Sequence, residues 1–451
     1  MKRPTATAAQ AWPGRGFPFN RPRRPPPPPG VWRKDPRWLR LAMTLYVLVA
    51  VTKVQEGIPV LLRLSPAKLV GALLVLTAIT EVPRARWREL SRANTARWVA
   101  VIAVMAVLSV PFSVWPGGAF AFLRSQYWKT LLFFAVATVA ATDHRTMRAM
   151  VLAFLAGTGF AVLRVLLGVA SSEEGRAYVG AAFDPNESAL LFLVTLPFCG
   201  YVINRVKWGR IPGIVLSVLL ILGIARTGSR GGLVGLTVLG LWYIYRARPG
   251  RRLTYAVLLP LLALVGLAAA SDQVSERISS LMNPTEDYNL TAREGRMQVW
   301  TRGVGYMITH PILGVGISNF GVAEGVLSGK TNEGYGIKYS AAHNSFVEIG
   351  AELGVLGLVA FIAMLWTALR GCRKVTTLRP RGPPAIVTEQ KASAGAAEAA
   401  LVAFCVAGFF LSFAHQPVTF FLVAIALGVR MGALPNRRGS SRAPRRSGYR
   451  S

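Results

Sequence analysis

A succession of apolar runs limits what this chain can fold into more than any other feature. The runs lie at roughly 39–56, 66–82, 98–114, 128–142, 148–170, 187–204, 211–226, 230–246, 253–271, 353–370, 397–414 and 417–433. Most approach the ~20 residues that an α-helix needs to cross ~30 Å of hydrocarbon. Inside hydrocarbon every backbone N–H and C=O must be satisfied within the protein, and a helix does this within one segment. The expected fold class is therefore an all-α polytopic membrane protein with about twelve transmembrane helices. Composition agrees: 52% of the 451 residues are hydrophobic and the mean hydropathy is +0.41, more than a water-facing surface accommodates.

The charge balance is 52 basic against 20 acidic residues, a net +32. In a soluble chain this excess would point to nucleic acid. Here the basic residues fall on alternate loops: Arg84 to Arg97, Arg145 and Arg148, Arg205 to Arg210, Arg246 to Arg252, Arg370 to Arg381, and the tail from Arg430. Positive-inside topology explains that pattern without nucleic acid and puts both termini in the cytoplasm. The expected organisation is a disordered, basic, Pro-rich cytoplasmic tail over 1–38 and transmembrane helices 1–9 over 39–271. An extracytoplasmic loop with a small helical cap follows at 272–342, then helices 10–12 over 343–433 and a basic tail over 434–451. The first apolar run begins only near Leu39, so no cleavable signal peptide is expected. Cys199, Cys372 and Cys405 are scattered and suggest neither a disulfide framework nor a metal site. The absence of an internal repeat argues against a transporter built from inverted halves.

In the long loop, Thr291-Ala292-Arg293-Glu294 is a capping-box pattern. It predicts a helix to about Thr309, stopped at His310-Pro311, with Arg296, Trp300, Gly303 and Met307 on one face. Pro311 to Gly316 reads as a turn on the membrane surface. Asp184-Pro185-Asn186-Glu187 reads as the turn and cap that open a span.

Polar chemistry gathers where that loop re-enters an apolar run. His343 and Asn344 stand side by side at the border, and Gly354 and Gly357 follow at a spacing that shares one helix face. A histidine there can serve as a general base, since its ordinary pKa lies near neutrality; the competing assignment is a structural hydrogen bond. Arg226 and Arg230 flank the turn Thr227-Gly228-Ser229, with Gly231 and Gly232 next. Their guanidinium forks match phosphate oxygens, and a glycine-rich helix start exposes N–H groups; snorkelling to lipid head groups is the alternative. Arg293, Arg296 and Arg302 on the cap, with Arg164 near the outer end of a span, add cationic groups to a face that should otherwise be acidic. An anionic lipid-linked substrate fits that excess. Glu348 and Glu352 share a stripe with Asn344 but not with His343 and are expected to pair with cap arginines. No acidic metal site is apparent near this border.

These residues resemble a known family. His343-Asn344, nine residues, then Gly354-Val355-Leu356-Gly357 resembles the signature of the O-antigen ligase/O-antigen polymerase superfamily. Ser229-Arg230-Gly231-Gly232, Arg296 with Trp300, His310 to Gly316 and Asp184-Pro185-Asn186 resemble its other motifs in order, over about 183–370. The Pro-rich tail lies outside that pattern. The resemblance implies a GT-C-like glycosyltransferase of the bacterial inner membrane, with its active site on the extracytoplasmic face. It would need no cofactor, metal or nucleotide sugar. The implied donor is an undecaprenyl-pyrophosphate-linked glycan and the implied acceptor a glycolipid or glycan, with membrane lipids as further partners. His343 would be the general base; Arg230 and Arg296 would hold the pyrophosphate and offset charge on the leaving group. Asn344, Arg226, Arg293, Arg164 and Trp300 would line the substrate. The ligase reading, transfer onto lipopolysaccharide, stands beside a polymerase that joins lipid-linked repeat units, and beside a solute transporter. A transporter predicts ionisable residues at mid-membrane, where this sequence has few.

Overall fold

The computed structural model describes residues 36–58, 66–169, 178–179, 183–247, 249–250, 252–253, 295–327, 331–332, 336–337, 340–377 and 383–434. Residues 1–35 and 435–451 of the two tails, the run at 253–271 beyond its first residue, the capping pattern at Thr291 to Glu294 and the candidate Arg293 lie outside the described residues. In chain order the helices are α1 (Arg37–Tyr46), α2 (Pro66–Glu81), α3 (Arg84–Arg92), α4 (Asn94–Ser109), α5 (Pro116–Phe122), α6 (Trp128–Ala140), α7 (His144–Leu166) and α8 (Pro185–Arg205). They continue as α9 (Arg210–Arg226), α10 (Arg230–Arg246), α11 (Arg296–Thr309), α12 (Phe320–Val326), α13 (Ser345–Thr377), α14 (Pro384–Ala407) and α15 (Pro417–Ala433). A two-residue antiparallel pair, β1 (Thr331–Asn332) with β2 (Gly336–Ile337), is the strand content of the described residues.

Helix starts are set by local chemistry. Asp184 Oδ1 accepts from the Glu187 N–H at 2.7 Å and the Asp184 N–H donates to Glu187 Oε2 at 3.0 Å, a complete capping box ahead of Pro185. Asp143 caps α7 through the Thr146 N–H, and Ser229 caps α10 through the Gly232 N–H.

Among the described residues, five helical stretches are long and apolar enough to cross a membrane: Asn94–Phe112, His144–Leu166, Pro185–Arg205, Ser345–Thr377 and Pro384–Phe410. The pair α2 and α3, bent by 103°, makes six if counted as one span. Leu69, Leu76, Ile79, Val104 and Trp366 are each more than half exposed along these helices. Large apolar side chains facing outward from a helical bundle fit a lipid environment. The helices of the apolar runs at 353–370 and 397–414 begin earlier than the runs themselves, at Ser345 and Pro384.

α15 is the central helix, buried from Val418 to Val429 and enclosed by α6, α13 and α14. Alanines on α14, among them Ala394, Ala397, Ala400 and Ala407, let it approach α8 and α10 closely. The bundle has two ends. At one, the Arg148 and Arg205 guanidiniums converge on Glu389 at 2.8 and 3.2 Å, Tyr201 Oη donates to the same carboxylate, and Arg246 meets Glu398 at 3.2 Å. Some arginines that read as loop charges are therefore clamps between helix ends. At the other end lie the Ile317 N–H bonded to Ser109 Oγ at 3.2 Å, and Ser345 bonded to the 411–413 segment.

Candidate functional site

His343 sits at that second end with a backbone φ of +46°, a left-handed conformation uncommon outside glycine. Both neighbours are fixed. The Trp300 Nε1–H donates to the Ala342 carbonyl at 2.9 Å, so the cap helix grips the residue just before it. Asn344, 1% exposed, accepts from the Phe346 and Val347 N–H groups at 2.9 and 3.1 Å. Its side-chain oxygen is thus the N-cap of α13, a more structural role than orienting His343. A half-buried imidazole between two locked residues, on strained backbone, is the kind of position that binding and catalysis use.

The surroundings of α13 assemble the rest. Ser345 Oγ donates to the Leu411 carbonyl at 2.6 Å and accepts from the Phe413 N–H at 2.9 Å. The Phe346 and Phe409 rings lie 4.7 Å apart. On its other side this break after α14 meets the start of α10: a Cβ on Gly231 would stand 2.6 Å from Phe410 Cβ. Gly231 and Ser345, near neighbours in sequence of Arg230 and His343, therefore pack on the same 408–413 segment, and Arg230 is half-buried at the first turn of α10. Phe183, just before the Asp184 cap, stacks on Phe413 at 6.3 Å. Arg226 is exposed at the end of α9. Arg164, with its guanidinium 5.9 Å from the Phe160 ring, ends α7 beside that turn, since a Cβ on Gly223 would meet Val162 at 2.4 Å. Arg296 is half-buried at the first residue of α11. The face carrying Trp300, Gly303 and Met307 does pack inward: a Cβ on Gly303 would lie 2.4 Å from Val347, and one on Gly350 would lie 2.5 Å from the Met307 sulfur.

Four expectations need correction. Gly354 is not on a helix face: its φ of +73° breaks α13, and it is the point where the Pro311–Gly316 segment docks. The break releases carbonyls of the preceding turn, and the Ala351 and Glu352 oxygens accept from Val315 and Gly316 at 2.8 and 3.0 Å. The Val355 N–H in turn donates to the Pro311 carbonyl at 2.9 Å. Pro311 to Gly316 is consequently inserted into the break rather than laid on a surface, and Val315 and Ile317 are fully buried. Arg302 is held by Glu324 at 2.7 Å, which explains its place on the cap without a ligand. Glu348 and Glu352 do not reach cap arginines among the described residues. Glu352 accepts from the Ser318 and Phe320 N–H groups at 2.8 and 3.1 Å and pairs with His415 Nε2 at 2.9 Å, while Glu348 accepts from the Ala414 N–H at 3.4 Å.

His415 was absent from the sequence candidates. It is buried beside Tyr127 and Phe122, at ring distances of 5.6 and 5.9 Å, and lines a cavity of about 720 Å³ with Glu348 and Glu352. The signal for it was the one that marked His343: a histidine at the polar border of an apolar run, here His415-Gln416-Pro417.

Chemically, the arrangement offers a base-competent imidazole and several guanidinium groups at one end of an apolar bundle. No curated protein matches the chain. Residues 215–362 match the family model Wzy_C, described as O-antigen ligase. The matched stretch includes Arg226, Arg230, Arg296, Trp300, His343 and Asn344, and leaves Arg164 and His415 outside. Over this stretch the chain is similar to the O-antigen ligase family, and the match supports the wider superfamily.

Proposed function

We propose that the protein transfers a glycan from undecaprenyl pyrophosphate to an acceptor hydroxyl at the extracytoplasmic face of the bacterial inner membrane, as a ligase acting on lipopolysaccharide or a related surface polysaccharide. The observation that carries this reading is the clamped His343, on left-handed backbone between two hydrogen-bonded neighbours, with Ser345 beyond it and Gly231 beside Arg230 packed on the same 408–413 segment. In the proposed step His343 takes the proton of the acceptor hydroxyl. The hydroxyl oxygen bonds to the anomeric carbon, and the bond from that carbon to the pyrophosphate oxygen breaks. Undecaprenyl pyrophosphate leaves with an added negative charge. Arg230 and Arg296 offset that charge, which is where electrostatic stabilisation is worth most. Arg226 and Arg164 extend the cationic surface toward the lipid head group. Arg293 belongs to the same proposal by its place in the sequence.

The test uses the purified chain in detergent with a lipid-linked repeat unit, with and without lipid A core, and resolves products on a gel. Product only when core is present is the expected result. A ladder of longer lipid-linked chains without core identifies a polymerase instead. Arg230→Ala, Arg296→Ala and His343→Ala should each lower transfer by about 10²-fold or more while membrane insertion persists. Full glycan yield from Arg230→Ala in a deletion strain sinks the pyrophosphate role. Wild type and His343→Ala that are equally inactive favour the transporter.

A further inference from the structure

A cavity with polar groups in it lies apart from the His343 corner. It lies between the Tyr46–Gln55 segment, α2, the 122–133 segment and the first turns of α13, has a volume of about 720 Å³, and falls in the range of small-molecule sites. Its lining is sorted by depth. Toward the His343 end stand Lys53, Gln55, Lys68, Glu348 and His415. One to two turns further down the same helices the wall is Tyr46, Gly71, Leu74, Val75 and Phe133. α2 and α6 both run away from the polar end, so this sorting follows the helix axis.

The polar floor is built but not closed. Glu352 is saturated by Ser318, Phe320 and His415, and so fixes the His415 ring through Nε2. The His415 side chain is only 9% exposed, yet its Nδ1 has no hydrogen-bond partner among the described residues, and neither has the buried Gln55 Oε1. Buried polar atoms of this kind normally have partners, and a ligand hydroxyl would supply them. Glu348 adds carboxyl oxygens that can accept from ligand hydroxyls. The half-exposed indole of Trp128 at the mouth offers a flat face suited to a sugar ring.

We propose that this cavity binds a glycolipid, its saccharide head on Glu348, His415 and Gln55 and its hydrocarbon chain along Tyr46, Leu74 and Phe133. Binding stands on the cavity alone. The further step, that this glycolipid is the acceptor, rests on the glycan-transfer reading above.

The experiment places the full chain in nanodiscs and uses dodecyl maltoside carrying a diazirine on its alkyl chain, with dodecyl phosphate carrying the same diazirine as comparison. Labelled peptides are mapped by mass spectrometry. Label from the maltoside should concentrate within residues 37–81 and 116–140. Gly71→Leu points its added carbons into the cavity, since a Cβ there meets only Tyr46, at 3.6 Å. It should cut labelling about tenfold, the penalty of overfilling a packed site. Glu348→Gln, which leaves the wall intact, should weaken the maltoside probe and should not weaken the phosphate probe. Label spread over the lipid-facing helices, equal labelling in Gly71→Leu, or a phosphate probe as good as the maltoside overturns the proposal. The two readings fail separately. Cavity labelling without glycan transfer by wild type leaves the site and removes the transfer reading. Transfer without cavity labelling does the reverse. If both hold, Gly71→Leu should raise KM for the acceptor and not for the donor.

Discussion

The indole Nε1–H of Trp300 donates to the backbone carbonyl of Ala342 at 2.9 Å, so a side chain of the cap helix holds the residue next to His343. Forty-two residues separate the two, and the bond therefore couples α11 to the start of α13. Trp300→Phe keeps an aromatic ring on that face and deletes one donor. A net hydrogen bond contributes about 1 kcal/mol, or about a fivefold change in the population of the held conformation. We expect glycan transfer to fall by about that factor while the amount of inserted protein is unchanged. Wild-type activity in Trp300→Phe shows that the Ala342 contact does not position His343.

The break at Gly354 makes a sharper prediction. With a φ of +73° and a hypothetical Cβ 2.4 Å from the Pro311 carbonyl oxygen, this position excludes every side chain for two reasons at once. Gly314, at φ +65°, would place its Cβ 2.3 Å from the Glu352 carbonyl carbon. Strain of this type costs about 1–3 kcal/mol before overlap is counted. Gly354→Ala and Gly314→Ala should each lower the unfolding temperature in detergent. Gly395→Ala, in the interior of α14 with nothing within 4 Å of the added carbon, should raise it slightly, by about 0.5–1 kcal/mol of helix preference. Thermal unfolding of the three variants side by side decides the matter, and a stable Gly354→Ala protein refutes the interlock.

How far the sequence could be read follows from the range of each interaction. The apolar runs were legible because hydrocarbon imposes its demand locally, on about twenty residues at a time. The Asp184–Glu187 cap was legible because its partners are three residues apart. The motifs at Pro311–Gly316 and Gly354–Gly357 could be seen but not joined, since Val355 bonds to Pro311 across the chain and nothing local announces it. Arg302 looked like a ligand-facing cation for the same reason: its carboxylate, Glu324, is 22 residues away. His415 stayed hidden because its partner Glu352 is 63 residues distant, on a helix whose acids were expected to face the cap. Within the candidate site, the pairings were not readable from the sequence.

The Arg302–Glu324 pair supports the cap itself. Nε donates to Oε1 at 2.9 Å, one terminal nitrogen donates to Oε2 at 2.7 Å, and the Tyr306 hydroxyl adds a bond to Oε1 at 2.8 Å. Glu324 is 1% exposed. Burial and the neighbouring carboxylate both push the Tyr306 phenol up from its ordinary value, so it stays a donor at any physiological pH. Removing one partner from a buried ion pair costs about 3–5 kcal/mol, because the other charge is stranded. Glu324→Ala should therefore expose α11 and α12 to limited proteolysis, while α7 to α10 remain protected. Unchanged cleavage in Glu324→Ala shows that the pair does not hold the cap.

The buried His415–Glu352 pair makes stability depend on pH, in a direction fixed by its surroundings. Burial disfavours the imidazolium, but the hydrogen bond that it donates to Glu352 and the charges of Glu352 and Glu348 outweigh it, and the pKa of His415 is raised above its ordinary value. Glu348 and Glu352 face it from α13, and Tyr127 and Phe122 face it from the 122–127 segment. The folded state then binds a proton more tightly than the unfolded chain. Stability from this group is complete below the unfolded pKa of about 6.5 and is lost as pH rises through the higher folded value. Thermal unfolding of the wild type should accordingly shift to lower temperature as pH is raised above about 6.5. In His415→Gln that slope should flatten, and the protein should be less stable throughout by up to about 3–5 kcal/mol, since Glu352 is left buried without its cation. A wild-type unfolding temperature that is level or rising over this interval, matched by His415→Gln, means that His415 is neutral in the folded protein and that Glu352 is held by the Ser318 and Phe320 N–H groups alone.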